Sequence, residues 1–141
     1  ADGAMSAEES ARLAEIQAQV ARFQAPDLEK AAAEGPLPYG MSLAYARDLR
    51  SLDPVGVAAG LPQPLLILQG ERDYQVTLED LAGWRKGLGG RKTVRILTYP
   101  KLNHLFMSGQ GKSLPAEYMI PAHVDAQVIQ DIAAWMAHPR P

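Results

Sequence analysis

Cysteine is absent from the 141-residue chain, and its absence excludes several kinds of chemistry. Without cysteine the chain has no disulfide, no thiolate nucleophile and no cysteine-ligated metal centre. The three histidines stand apart from any close acidic cluster, so the sequence predicts no metal site, and we expect no cofactor. The lack of cysteine leaves the cellular compartment open.

Strong net charge and long hydrophobic runs are missing as well. The 16 acidic and 14 basic side chains give a formal net charge of -2, without the basic excess typical of nucleic-acid binding. No stretch approaches the ~20 apolar residues that span a bilayer. The start at Ala1 has no basic segment followed by an apolar run, as a signal peptide would, and it reads as a cut end. We therefore predict no nucleic-acid partner and no membrane span, and the localisation stays unknown.

Residues 1–52 read as helices only. Ser6 and Glu9 form a capping box that opens the first helix. Its apolar stripe contains Leu13, Ile16, Val20 and Phe23. Asp27 begins a second helix that ends near Gly35, and Ser42 begins a third that ends near Leu52. The sequence therefore predicts a helical segment over residues 1–52.

A strand–helix–strand pattern follows a short fourth helix at residues 53–60. The run PLLILQG, Pro64–Gly70, is apolar except for Gln69 and predicts a strand buried on both faces. A helix from Thr77 to Gly89 and a strand at Thr93–Tyr99 come next, so the unit is one parallel βαβ. A polar loop is predicted over residues 100–121. A last helix, from about Ala122 to Ala137, is expected to bury Val128, Ile129, Ile132, Trp135 and Met136.

Two buried parallel strands do not make a finished sheet. Parallel strands need both faces covered and usually several neighbouring strands. The residues before Pro64 supply only helices. The sequence therefore predicts that the chain is part of a larger fold, or that it completes its sheet with a partner.

An acid and an imidazole follow the two predicted strands. Asp73 comes after the first strand and His104 after the second, at the end of the sheet where open α/β folds place functional groups. Either residue alone reads as a loop residue. Because adjacent strands lie ~5 Å apart, the carboxylate on one loop can reach the ring on the next. A carboxylate that holds one ring nitrogen leaves the other nitrogen available as a general base.

These segments resemble the C-terminal part of an α/β-hydrolase. The resemblance lies in PLLILQGERDYQV, then YPKLNHLF, then the terminal VIQDIAAWM, and it covers roughly residues 52–136. It implies that Asp73, in the turn Gly70–Asp73, is the triad acid and that His104 is the triad histidine. It also implies that residues 1–52 are a cap or lid and that residues 53–141 are part of the hydrolase core. The likeness is greatest to the esterase and peptidase branch of the superfamily.

Ser42 lies in Gly40–Ala44, GMSLA, which is close to the G-x-S-x-G turn of a nucleophilic serine. The order Ser42, Asp73, His104 matches the order of that family's triad. No strand is predicted before Ser42, however, and only about 21 residues separate it from Pro64, too few for the elements that the fold needs there. A helix N-cap explains Ser42 better.

The expected function is therefore that of part of a serine hydrolase that cleaves ester or amide bonds, with its serine outside this chain. The substrate would be a small ester or a peptide-like molecule, the partner would be the N-terminal half of the fold, and this chain alone would be inactive. Tyr74 and Met107 are candidate pocket residues, and Glu71 and Arg72 read as exposed turn charges. Two alternatives stay open: a non-catalytic domain that associates, for example as a homodimer, through an exposed sheet edge, and a complete small hydrolase that uses Ser42.

Overall fold

The chain is mixed α/β and divides into two compact units, Ala1–Leu52 and Asp53–Pro141. The computed structural model describes residues 5–139, so the start that reads as a cut end lies largely outside the described residues. The described part contains six α-helices and a two-stranded parallel sheet. This architecture is consistent with a piece of a larger α/β fold.

The first unit is helical, as its capping residues predict. It contains α1 (Ala7–Gln24), α2 (Leu28–Glu34), a short 3₁₀ helix (Pro38–Gly40) and α3 (Leu43–Ser51). The Ser6 hydroxyl accepts a hydrogen bond from the Glu9 N–H at 3.1 Å, and the Glu9 carboxylate accepts one from the Ser6 N–H at 2.7 Å. Both bonds satisfy N–H groups that have no partner inside the helix.

Only one residue of the α1 stripe, Phe23, contacts the small core of this unit. Leu28, Leu37 and Ala46 are its buried residues, and Phe23 packs against them. The other three stripe residues are exposed: Leu13, Ile16 and Val20. The apolar stripe of α1 is therefore mostly exposed in the described part of the chain, since periodicity shows which face of a helix is apolar and not what covers it.

The second unit contains the βαβ arrangement. Its elements are α4 (Pro54–Gly60), β1 (Leu65–Gly70), α5 (Leu78–Leu88), β2 (Val94–Tyr99), a 3₁₀ helix (Pro115–Met119) and α6 (Ala126–Ala137). The predicted parallel pairing is confirmed, with Leu65 opposite Val94 and Gly70 opposite Tyr99. Equal strand lengths and in-step pairing bring both carboxyl ends to the same edge of the sheet.

Several residues of the second unit that the sequence predicts to be buried are half-buried or exposed. The strand residues Leu65–Leu68 are half-buried, not buried on both faces. Helix α6 begins at Ala126 and not near Ala122, because the Asp125 carboxylate caps it by accepting a hydrogen bond from the Gln127 N–H at 2.9 Å. Of the α6 residues predicted to be buried, Val128 is buried against Tyr99 and Leu102. Three others are exposed: Ile129, Ile132 and Met136.

No helix within residues 5–139 has both the length and the apolar character needed to cross a membrane.

Candidate active site

Asp73 lies in the turn directly after β1, and its carboxylate is fixed by local backbone groups. Oδ1 accepts hydrogen bonds from the N–H of Gln75 at 2.8 Å and of Val76 at 3.0 Å. In this Asx-type turn, as is usual for aspartate, the side chain accepts hydrogen bonds from backbone N–H groups of its own loop. The side chain is only 6% exposed, so its direction is set by the protein and not by solvent.

His104 lies in the loop after β2 and meets Asp73. Its Nδ1 is 2.8 Å from Oδ2 of Asp73, the oxygen that the Gln75 and Val76 N–H groups leave unoccupied. The His104 side chain is 39% exposed, and its Nε2 has no hydrogen-bond partner among residues 5–139. The arrangement therefore holds one ring nitrogen against a carboxylate and presents the other nitrogen at the surface.

The two loops are held together by backbone contacts between the strand ends. The Glu71 N–H donates to the Tyr99 carbonyl at 3.0 Å, and the Arg72 N–H donates to the Leu102 carbonyl at 3.0 Å. Gly70 allows this approach, because a Cβ at that position would lie 2.5 Å from the carbonyl oxygen of Leu102. The distance between Asp73 and His104 is thus set by the main chain as well as by side chains.

Burial and hydrogen bonding act in opposite directions on the Asp73 carboxyl. Burial raises its pKa because it disfavours the charged form. The hydrogen bonds from the Val76 N–H, from His104 and from the Gln75 N–H favour the carboxylate and together outweigh burial. The pKa of Asp73 is therefore lowered from its ordinary value, and the group is an anion at neutral pH.

An anionic carboxylate on Nδ1 suits His104 to act as a general base. It favours the tautomer with the proton on Nδ1, which leaves a lone pair on Nε2. It also stabilises the imidazolium that forms when Nε2 takes a proton. The described part of the chain contains no cluster of three or more His, Asp or Glu side chains that could hold a metal ion.

The remaining candidate residues lie in different places. Tyr74 is exposed beside Asp73, and its ring stacks on Tyr118 with the ring centroids 6.2 Å apart. Met107 is half-buried, and its carbonyl accepts a hydrogen bond from the Asn103 N–H.

Ser42 lies in the other unit, where it caps α3 as predicted: its hydroxyl accepts a hydrogen bond from the Tyr45 N–H at 3.2 Å. A 3₁₀ helix precedes Ser42, not the strand that a nucleophile turn requires.

Arg72 is not the exposed turn charge that the sequence suggests. Its side chain is 7% exposed and pairs with Glu117 at 2.5 Å. Glu71 is exposed and accepts a hydrogen bond from the Thr98 hydroxyl at 2.7 Å. Sequence patterns alone do not mark Arg72, Asn103 or Glu117 as part of the site. Their only sequence signal is that Arg72 and Asn103 directly precede Asp73 and His104.

One curated relative has marked similarity to the chain. Over 97 residues, 69% of this chain, it is 50% identical to Esterase EstD of Thermotoga maritima, and the match covers 24% of that protein. The chain thus spans about a quarter of the length of this relative. No family model matches the chain, and no solved structure matches it.

Proposed function

We propose that the chain is the part of a serine esterase that supplies the acid and the base of a Ser-His-Asp triad, with the serine outside this chain. The observation that carries the proposal is the 2.8 Å contact between His104 Nδ1 and Asp73 Oδ2 at the carboxyl ends of two parallel strands. The 50% identity to a protein named as an esterase supports an ester as substrate. The order of the residues, acid then histidine, is that of the α/β-hydrolases.

In this mechanism His104 moves the proton at each step. Nε2 takes the proton from the serine hydroxyl as the serine oxygen attacks the ester carbonyl. The imidazolium then gives that proton to the leaving alcohol oxygen, and an acyl-serine remains. Water then attacks the acyl-serine, with His104 taking the proton from water and giving it to the serine oxygen, and the carboxylic acid product is released. Asp73 stays ionised throughout, holds the tautomer and stabilises the imidazolium, while the oxyanion hole comes, like the serine, from outside this chain.

The two compact units take different roles in this proposal. The unit Asp53–Pro141 contains both Asp73 and His104 and is a piece of the hydrolase core. The unit Ala1–Leu52 contains helices only and would form a cap or lid, the part of such folds that shapes the substrate pocket.

The test is a chimera in which this chain replaces the matching segment of the Thermotoga maritima esterase. We expect the chimera to hydrolyse p-nitrophenyl acetate, and we expect His104→Ala and Asp73→Asn to lower kcat by about 10³-fold or more. His123→Ala, an exposed histidine outside the pair, is the matched control and should leave turnover unchanged. Full turnover in His104→Ala would contradict the assignment.

A fluorophosphonate probe locates the nucleophile directly. We expect the chimera to be labelled once and the isolated 15.3 kDa chain to remain unlabelled, as read from intact masses. A label on the isolated chain would place the nucleophile within it, with Ser42 the first residue to examine.

A second candidate function is association without catalysis. The observation that favours it is a sheet of two strands in the described part of the chain, in which Leu65–Leu68 are only half-buried. Strands with free edges pair readily with further strands. In this case the chain would form a symmetric dimer through β1, and the chimera would be inactive.

A further inference from the structure

The carboxylate of Glu117 contacts the loop of Asp73 and the loop of His104 at once. Its Oε1 accepts a hydrogen bond from Nη2 of Arg72 at 2.5 Å. Its Oε2 accepts hydrogen bonds from Nδ2 of Asn103 at 3.2 Å and from the Ser113 hydroxyl at 3.1 Å. Glu117 lies on the 3₁₀ helix Pro115–Met119, further along the connection between β2 and α6 that also contains His104.

On the acid side, Arg72 ties Glu117 to the turn of Asp73. Arg72 directly precedes Asp73, and its backbone N–H already bonds the Leu102 carbonyl of the histidine loop. Its guanidinium also donates from Nε to the Gly111 carbonyl at 2.7 Å. A guanidinium that is 7% exposed needs a charged partner, because an unpaired buried charge is strongly unfavourable.

On the base side, Asn103 ties Glu117 to the turn that presents His104. The Asn103 side-chain carbonyl accepts hydrogen bonds from the Leu105 N–H at 3.0 Å and the Met107 N–H at 3.1 Å. These two hydrogen bonds fix the turn of the backbone that directly follows His104. Asn103 is 1% exposed, and Glu117 accepts from its amide nitrogen, so the Asn103 side chain is held in one orientation.

We propose that Glu117 is a positioning residue that sets the orientation of His104 against Asp73 by bridging Arg72 and Asn103. A carboxylate suits this role because its two oxygens can serve two loops at once. The hydrogen bond from Arg72 lowers the pKa of Glu117, so the bridge is charged at neutral pH. The catalytic meaning of this role depends on the proposed esterase function, whereas the bridge and its effect on His104 do not.

The experiment is ¹⁵N NMR of the His104 ring in the 141-residue chain, at a pH where the ring is neutral. In the wild type we expect mainly the tautomer with the proton on Nδ1, which Asp73 favours. Glu117→Gln keeps the size of the side chain and removes its charge, and Arg72→Lys keeps the charge and removes the forked geometry. In both variants we expect the ratio of Nδ1–H to Nε2–H tautomer to fall by about tenfold, the loss of a hydrogen bond to a charged group.

Two controls separate positioning from simple stability. Ser113→Ala removes a hydrogen bond to Glu117 and leaves both ends of the bridge in place, so it should lower the Tm without changing the tautomer ratio. Glu29→Gln breaks an exposed ion pair with Arg47 in the helical unit, and it should change neither the Tm nor the His104 tautomer ratio. An unchanged ratio in folded Glu117→Gln and Arg72→Lys, with only a lower Tm, would overturn the proposal.

The outcomes also separate this proposal from the esterase proposal. A wild type without the Nδ1–H tautomer has no Asp73–His104 hydrogen bond, and that result contradicts both proposals. A wild type with that tautomer and unchanged variants contradicts the role of Glu117 alone. If Glu117→Gln does not fold, Arg72→Lys, which retains a cation toward Glu117, decides the question by the same ratio.

Discussion

At the scale of single residues, the Asp73 carboxyl links the site to stability. Its pKa is lower in the folded chain than its ordinary value, since hydrogen bonds to the carboxylate outweigh burial. A group of this kind stabilises the fold above its unfolded pKa of about 3.9 and loses that contribution as the pH falls through the lower folded pKa. We therefore expect Asp73 to contribute to the acid unfolding of the chain below about pH 4.

Urea unfolding at pH 7 and at pH 3 checks this expectation. Wild type should lose more stability between the two pH values than Asp73→Asn, because asparagine does not titrate. At pH 7 the substitution should cost about 1.5–3 kcal/mol, the value of hydrogen bonds to a charged group. Equal losses in the two proteins would show that the Asp73 hydrogen bonds are not formed in solution.

The same substitution at two glycines should have opposite effects. In Gly70→Ala the new Cβ would lie 2.5 Å from the Leu102 carbonyl oxygen and 2.6 Å from that of Asn103, so the histidine loop must shift. We expect a loss of about 1–3 kcal/mol, as in other overpacked sites. Gly83, inside α5, has open space around it, and Gly83→Ala should stabilise by about 0.5–1 kcal/mol. Urea midpoints measure both, and a tolerated Gly70→Ala would contradict the close approach of the loops.

The pairing of Asp73 with His104 was predictable from sequence, whereas the contacts that support it were not. Each residue follows a recognisable strand, and parallel strands bring their ends together. Glu117 lies 44 residues from Asp73 in a loop without hydrophobic periodicity, so no sequence pattern places it near Arg72. The loop conformation depends on side-chain bonds between distant residues, and these become visible only in three dimensions.

At the scale of helices and strands, Ser42 offers a test that separates a capping role from a nucleophilic one. Its hydroxyl accepts a hydrogen bond from the Tyr45 N–H at the start of α3. Ser42→Ala removes the cap and should cost about 1 kcal/mol, whereas Ser42→Asp keeps an N-cap acceptor and should cost much less. Thermal unfolding measures the difference, and turnover of the chimera should be the same in both variants. Loss of turnover in both would mean that Ser42 is the nucleophile.

The starts of most elements were predictable because capping residues mark them. Ser6, Asp27 and Ser42 each cap the helix that the sequence predicts at that position. Helix α6 is the exception: residues 121–125 precede it without helical structure, and Asp125 is its cap. The burial of helical faces was less predictable, since periodicity shows which face is apolar and not what covers it.

At the scale of the whole molecule, several large apolar side chains of the second unit are exposed. In the Asp53–Pro141 unit, Ile129 is 56% exposed, Ile132 36% and Met136 68%, all on α6. The strand residues Leu65–Leu68 of the same unit are half-buried. Contiguous apolar patches on soluble proteins usually mark interaction sites. Within the esterase proposal, the remaining sheet and its helices would cover these groups.

This surface leads to a prediction about the isolated chain. We expect it to self-associate as its concentration rises, with a weight-average mass above 15.3 kDa in sedimentation equilibrium. Ile129→Glu combined with Met136→Glu should return the chain to a monomer, because charged groups on the α6 face oppose its burial. Val57→Glu, at a 59% exposed position on α4, is the matched control and should not change the mass. Association that persists in the α6 variant would instead place the contact elsewhere, with the half-buried strand β1 the next surface to test. A monomeric wild type at every concentration would show that the exposed face of α6 does not drive association.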